Sequence, residues 1–120
     1  MSAIAELIAE CGDSLDVYSG NDDQIVPILS LGGKGVISVL SNLLPRQTSE
    51  MCHLYLEGKT REACEYQLKY IPLIKSLFCE VNPIPVKYAM NLQGFKAGPC
   101  RLPLVELSDA HKELVRSEME

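Results

Sequence analysis

The chain has 120 residues, 47% of them hydrophobic, and a net charge of −5 at pH 7. This length and apolar content fit one domain with a buried core and exclude an intrinsically disordered segment. The charge argues against a nucleic-acid partner, which needs clustered lysine and arginine, and no apolar run approaches the roughly 20 residues that span a bilayer.

The amino-terminal part predicts a helix, a short strand, a second helix and a second strand. Residues 4–11 carry apolar side chains at helical spacing before Gly12, and residues 15–19 predict a strand that ends at Gly20. Residues 25–31 form the next amphipathic run. The polar residues before it are typical of a helix amino terminus.

Residues 35–40, GVISVL, predict a strand that is covered on both faces, because the run is nearly all apolar and rich in β-branched side chains. Two strands separated by one helix form a right-handed parallel crossover. A pair of parallel strands leaves backbone edges unpaired, and each buried unpaired group costs about 1–3 kcal/mol. We therefore expect this chain to pair with other copies or to be a piece of a larger sheet.

The rest of the chain predicts helices only. Proline or a capping residue opens each predicted helix and glycine or proline closes it, and Pro72 should kink the longest one. The boundary residues are Pro45, Gly58, Thr60, the NPIP segment at 82–85, Gly94 and Ser108. A seam near Gly58 divides the strand-bearing residues 1–58 from the helical residues 59–120.

The cysteines predict free thiols that pack as small apolar side chains, since their number is odd and no pair has C-x-x-C spacing. They are Cys11, Cys52, Cys64, Cys79 and Cys100. A disulfide framework and a zinc site are both disfavoured, and no metal is expected. The first ten residues lack a basic start and contain Glu6 and Glu10, so they do not read as a signal peptide and the cytoplasm is the expected compartment.

Four motifs in order then carry a resemblance. They are YSGNDD from Tyr18, GGKGVISV from Gly32, NPIPVK from Asn82 and RLPL from Arg101. With these motifs the chain resembles the carboxyl-terminal part of the 4-hydroxy-tetrahydrodipicolinate synthase (dihydrodipicolinate synthase) family of pyruvate-dependent lyases. The wider group of pyruvate aldolases and lyases, which includes N-acetylneuraminate lyase, is also similar. The resemblance covers essentially the whole chain.

The resemblance implies an α/β fold, namely part of a TIM (β/α)8 barrel. Residues 1–58 would supply the last two parallel strands with their helices, and residues 59–120 a helical carboxyl-terminal extension. The family condenses pyruvate with aspartate semialdehyde through a Schiff base, without a cofactor, in lysine (diaminopimelate) biosynthesis. Its Schiff-base lysine and tyrosine relay match no residue here, so we expect the chain to be inactive until an amino-terminal half completes it.

Two residues are candidates for substrate binding by the same resemblance. Gly20 would lie against the bound pyruvate group, and the main-chain carbonyl of Ile37 would face the substrate. The alternatives are a turn glycine and a core strand residue. No catalytic residue is expected, because a Schiff-base amine needs a lowered pKa and a place at the carboxyl ends of the strands, whereas Lys34 precedes its strand and Lys87 belongs to the extension. The other lysines read as solvated.

Other candidates are weaker. Asp22 and Asp23 could form an acid–base pair, but capping of the following helix is favoured. Cys52 and His53 are adjacent on a helix and therefore point in different directions. The turn at residues 82–87 is better explained as a rigid corner than as a ligand site.

Two functions remain open at this point. The first is a truncated or split synthase that is inactive alone. The second is a non-catalytic module that pairs with itself or with a synthase subunit, since the extension helps to build tetramers in the family. An aldolase fragment related to N-acetylneuraminate lyase, or a product that folds poorly, is a further alternative.

Overall fold

A computed structural model describes all 120 residues as six α-helices around a two-stranded parallel sheet. The helices are α1 (Ser2–Cys11), α2 (Ile25–Ser30), α3 (Pro45–Leu56), α4 (Thr60–Leu77), α5 (Ile84–Leu92) and α6 (Asp109–Glu118). The strands are β1 (Tyr18–Ser19) and β2 (Gly35–Val36), and 3₁₀ turns cover Gly12–Ser14, Asp22–Gln24 and Leu40–Asn42. The order of elements is the predicted one.

The parallel crossover is confirmed, but both strands are shorter than predicted. Tyr18 pairs with Gly35, and the ladder continues through the amide of Ile37, which donates to the carbonyl of Ser19 at 2.8 Å. Beyond that bond the chain turns into the 3₁₀ turn at Leu40–Asn42. The strands end early because each has a single neighbour, so nothing holds further residues in an extended conformation.

Two hydrophobic cores hold the helices together. The larger core joins the turn after β2 to the last three helices, and its buried residues are Leu40, Leu43, Leu73, Ile74, Leu77, Ile84, Val86, Ala89, Leu107 and Val115. The smaller core lies between α2, α3 and the start of α4, and consists of Ile25, Val26, Leu29, Met51 and Ala63. Each core draws side chains from both sides of residue 58. Residue 58 lies between α3 and α4, and its standing as a domain boundary stays a prediction.

The helix ends follow the predicted punctuation with two exceptions. Gly58 and Gly94 end their helices with φ of 85° and 89°, a conformation that favours glycine. The expected cap at Thr60 is wrong, because this residue is already the first of α4 and its side chain makes no capping bond. Ser108 does stand at the amino-terminal cap position of α6, yet its hydroxyl bonds to a glutamate far away in the sequence.

One face of the molecule is left open. No side chain of α1 is buried, and the apolar residues Leu15, Tyr18 and Ile37 are exposed beside the sheet. This exposure is expected where a sheet has two of the several strands that a covered parallel sheet needs. None of the helices has the length and apolar character that crossing a membrane requires.

Glu80 fastens α6 to the end of α4. Its Oε1 accepts hydrogen bonds from the amide of Ser108 at 3.1 Å and from the Ser108 hydroxyl at 2.6 Å, and lies 2.7 Å from Nδ1 of His111. The bonds from Ser108 and then His111 hold the pKa of Glu80 at about 2, below its ordinary value of 4.5. A carboxylate from another helix thus caps α6.

We expect the hydrogen bonds of Glu80 to make the stability of the fold depend on pH in acidic solution. Because the pKa of Glu80 is lowered in the folded state, the carboxylate adds stability above about pH 4.5, and that stability is lost as the pH falls towards about 2. The loss of melting temperature in Glu80→Gln should therefore be largest above about pH 5 and vanish near pH 2. Thermal unfolding followed by circular dichroism measures it. Glu113→Gln on α6 is the matched control, and a Glu80→Gln effect that is flat with pH would contradict the assignment.

Candidate functional site

The carboxyl ends of the two strands form the candidate site. Because β1 and β2 are parallel, the turn that follows β1 at Gly20 and the segment that follows β2 at Ile37 lie side by side. The buried Ser19 shapes the turn, since its hydroxyl donates to the carbonyl of Asn21 at 2.7 Å and accepts from the amide of Asn21 at 3.2 Å. The structure thus brings the two residues predicted to bind substrate together at the carboxyl end of the sheet.

Gly20 has no reason within this chain to be glycine. Its φ is not positive, and a Cβ placed on it would meet no atom within 4 Å. The explanation of Gly20 as a turn glycine therefore lacks support, because neither its backbone conformation nor its packing excludes a side chain. The space that a Cβ of Gly20 would point into is therefore open in this chain.

Ile37 is not a core residue. Its side chain is 74% exposed, and its amide is bonded to Ser19. The carbonyl of Ile37 accepts no hydrogen bond from any other residue. A strand-end carbonyl that is left unpaired can accept a bond from a ligand. Its role as a substrate contact stays a prediction.

Asp22 locks the two strand ends together. It is 1% exposed, and its Oδ2 accepts from the amides of Val39 and Leu40 at 2.9 and 3.0 Å, while its Oδ1 accepts from the hydroxyl of Ser38. The hydroxyl of Ser38 in turn accepts from the amide of Ser41 at 2.8 Å. The expectation that Asp22 caps the helix that follows it is wrong. It caps the 3₁₀ turn after the other strand, which fixes the direction in which the chain leaves Ile37.

Gln67 of α4 holds the turn that follows β1 against the start of α2. Its Nε2 donates to the carbonyl of Asp22 at 2.9 Å, and its Oε1 accepts from the amide of Val26 at 3.1 Å. Sequence reasoning missed this residue, although a signal was present. Gln67 follows Ala63 by four positions and so lies on the apolar stripe of α4, where a buried amide needs specific partners.

The acid–base pair and the nucleophile–base pair that the sequence disfavours do not form. Asp23 is exposed, whereas Asp22 is occupied by backbone amides. The Nδ1 atom of His53 lies 2.8 Å from the carbonyl of Ser49 and does not face Cys52. Burial raises the pKa of the Cys52 thiol, which makes it a poorer nucleophile.

A serine–histidine–glutamate cluster also lacks the geometry for catalysis. Nδ1 of His111 lies 3.2 Å from the hydroxyl of Ser108 and 2.7 Å from Oε1 of Glu80. A catalytic imidazole uses one nitrogen for the nucleophile and the other for the carboxylate. Here one nitrogen faces both, so the cluster is a helix cap.

Three lysines lack the character or the place of a Schiff-base amine. Glu57 raises the pKa of Lys59, and Asp109 raises that of Lys112, whereas imine formation needs a lowered pKa. Lys34 is exposed at the amino end of β2, opposite Ile37. The histidine, cysteine and carboxylate side chains form no cluster that could hold a metal ion.

Comparison with known proteins gives one family along the whole chain. The model of the dihydrodipicolinate synthetase family matches residues 1–120. A 4-hydroxy-tetrahydrodipicolinate synthase from Lachnoclostridium phytofermentans is 54% identical over 119 residues, which are 99% of this chain and 40% of that protein.

Solved structures agree with the sequence match. Dihydrodipicolinate synthase from Thermotoga maritima superposes with a TM-score of 0.92 at 43% identity over 97% of this chain and 40% of that one. A monomeric dihydrodipicolinate synthase variant gives the same TM-score, identity and coverage. The chain spans about 40% of the length of the relatives it matches.

Proposed function

The chain belongs to the dihydrodipicolinate synthetase family, and from that premise we propose that it supplies the carboxyl-terminal part of a Schiff-base lyase. The completed enzyme would condense pyruvate with aspartate semialdehyde in lysine biosynthesis. The relatives reported above carry the synthase name, which favours this reaction over that of N-acetylneuraminate lyase. The observation that carries the proposal is the open edge at the carboxyl ends of β1 and β2.

In this proposal the chain binds and orients substrate while another segment supplies the amine. The empty space above Gly20 would take the pyruvate-derived group, where any side chain would collide with it. The unpaired carbonyl of Ile37 would accept a hydrogen bond from the bound intermediate. The carboxylate of Asp22 keeps both strand ends in register, so it is a positioning residue. No residue of this chain matches the Schiff-base lysine of the family, so the chain alone would be inactive.

The remaining strands of the barrel would pair along the free edges of β1 and β2. They would cover the apolar residues Leu15, Tyr18 and Ile37, which are exposed in this chain. The segment that brings them must also carry the Schiff-base lysine. It can belong to the same polypeptide or to a separate one.

A second function, that of an interaction module without catalysis, is favoured by one observation. Leu68 is 70% exposed on α4, and α1 buries none of its apolar side chains. Exposed apolar helix faces of this kind favour association with a second copy or with a synthase subunit. In this alternative the chain would form complexes but would not contribute to a pyruvate site.

Borohydride trapping separates the two functions. The chain is incubated with pyruvate and sodium borohydride, alone and together with the amino-terminal portion of the Lachnoclostridium phytofermentans synthase, and each polypeptide is weighed by mass spectrometry. We expect no adduct on the lone chain, and in the mixture an adduct on the added portion only. An adduct on the lone chain would refute the absence of a Schiff-base lysine. A stable complex without any adduct would favour the interaction module.

Substitution at Gly20 tests the substrate contact directly. Gly20→Val should leave the free energy of unfolding within about 0.5 kcal/mol of the original, because no atom of the chain lies within 4 Å of the new Cβ. In the completed enzyme the same change should lower the rate of adduct formation by about 10²-fold or more. The rate of adduct formation in Gly20→Ala should lie between that of the original enzyme and that of Gly20→Val. An unchanged rate in Gly20→Val would show that the pyruvate group binds elsewhere.

A further inference from the structure

A cavity lies between α5, α6 and the segment that joins them, away from the strand ends. Its volume is about 710 Å³, and it has no residue in common with the candidate site at Gly20, Asp22 and Ile37. We call it the α5–α6 cavity. Pockets that bind small molecules have volumes of about 300–1,000 Å³, so this one is large enough for a metabolite.

The charge of the α5–α6 cavity is opposite to that of the chain. Three cationic side chains line it, Lys87 from α5 and Lys112 and Arg116 from α6, against one anionic side chain, Glu106. The chain as a whole has a net charge of −5. Two of these cations already have an exposed carboxylate beside them on α6, since Oδ1 of Asp109 lies 3.0 Å from Nζ of Lys112 and Oε2 of Glu113 lies 2.7 Å from Nη1 of Arg116. Exposed ion pairs of this kind contribute about 0–1 kcal/mol, so an anion in the cavity can compete for both cations.

The cations are held in place at the cavity wall. Nη2 of Arg116 donates to the hydroxyl of Tyr88 at 3.1 Å, and Nζ of Lys87 donates to the carbonyl of Pro99 at 2.8 Å. Lys112 stands one helical turn before Arg116, so both side chains project from the same face of α6. Side chains that are already ordered lose less conformational entropy when a ligand binds.

Most of the rest of the wall is apolar, with Asn91 as a further polar side chain. Leu92 at the end of α5 and Val105 in the connecting segment line the cavity and are exposed to solvent. Cationic groups beside uncovered apolar surface match a ligand that has an anionic end and an apolar body.

We propose that the α5–α6 cavity binds a small organic anion, a carboxylate or phosphate monoester on an apolar body, with Lys112 and Arg116 as the anion contacts. Lys87 is on the opposite helix and contributes a second positive charge. Glu106 and Asp109 act against binding, because their carboxylate oxygens lie 3.9 and 3.0 Å from Nζ of Lys112 and compete for that ammonium group. Removing Glu106 should therefore strengthen binding, an effect that no purely structural role would produce.

The test is a nuclear magnetic resonance titration of the full chain with three probes. The probes are 3-phenylpropionate, phenyl phosphate and the matched cation 3-phenylpropylamine. We expect the two anions to shift amide resonances of α5, α6 and the segment between them, and the amine to shift none. A stronger effect of phenyl phosphate than of the carboxylate would identify a phosphate monoester as the preferred class.

Charge variants make the test decisive. Arg116→Gln and Lys112→Gln should each raise the Kd of the anions by about fivefold to tenfold, since each removes a charged contact. Glu106→Gln should lower it by about twofold to threefold. Lys34→Gln, an exposed lysine far from the cavity, is the control and should change nothing. Equal binding of the amine, the absence of shifts at the cavity, or unchanged affinity in both α6 variants would overturn the proposal.

Discussion

Replacing Asp22 by alanine is expected to lower the free energy of unfolding by about 3–5 kcal/mol, measured by urea denaturation. The carboxylate is fully buried and satisfies the amides of Val39 and Leu40 and the hydroxyl of Ser38. Alanine would leave these donors without a partner. Each unsatisfied buried donor costs about 1–3 kcal/mol, so the loss exceeds that of an ordinary surface aspartate.

The neighbouring aspartate supplies a matched control. Asp23 has the same side chain one position later but is exposed, so Asp23→Ala should change the free energy of unfolding by no more than about 0.5 kcal/mol. Asp22→Asn should fall between the two variants, because an amide oxygen can still accept from one or two of the donors. Equal effects at the two positions would show that the bonds of Asp22 do not stabilise the fold.

The hydrogen bonds of Asp22 should also affect the proposed activity. Without them, the segment from Ser38 onward loses its tie to the turn after β1, and the carbonyl of Ile37 is no longer held beside Gly20. In the completed enzyme we therefore expect loss of activity in Asp22→Ala beyond what the unfolded fraction explains. Gly20→Val would separate the two effects, since it changes the site and leaves the lock intact.

The helices of this chain could be predicted from the sequence because their signals are local. Pro45 stands in the first turn of α3, and Gly58 and Gly94 close α3 and α5 with positive φ, so each boundary is specified within a few residues. The strands were predicted too long, since β-branched residues favour extension while a missing neighbour strand ends it. Strand length depends on what lies across the sheet.

The long-range hydrogen bonds could not be predicted, because their partners are far apart in the sequence. Asp22 bonds to amides 17 and 18 positions later, and Glu80 bonds to Ser108, the cap residue of α6, 28 positions later. Local sequence preferences predict instead that Asp22 caps the helix that follows it and that the Ser108 side chain caps α6. The candidate site had a different origin, since family resemblance alone singled out Gly20 and Ile37. The structure adds that neither residue is explained by packing within the chain.

Replacing Leu40 by alanine is expected to cost about 3–5 kcal/mol and to show whether the two parts of the chain fold together. Leu40 is fully buried, and although it precedes residue 58 it packs in the larger core with side chains of α4, α5 and α6. Leucine-to-alanine changes in such cores cost about 2–5 kcal/mol through lost burial and the cavity left behind. Leu56→Ala, at an exposed position of α3, is the control and should cost little.

Amide hydrogen exchange shows whether Leu40→Ala destabilises both parts of the chain or only one of them. If residues 1–58 and 59–120 form one cooperative unit, Leu40→Ala will speed exchange in α4, α5 and α6 as much as in α2 and α3. If the helical part folds by itself, protection in α5 and α6 will be unchanged while the strand-bearing part opens. We expect the first result, since Leu40 and Leu43 insert into the helical core and Asp22 fixes the amide of Leu40. The turn that orders the substrate edge would then be built by the same packing that holds the extension in place.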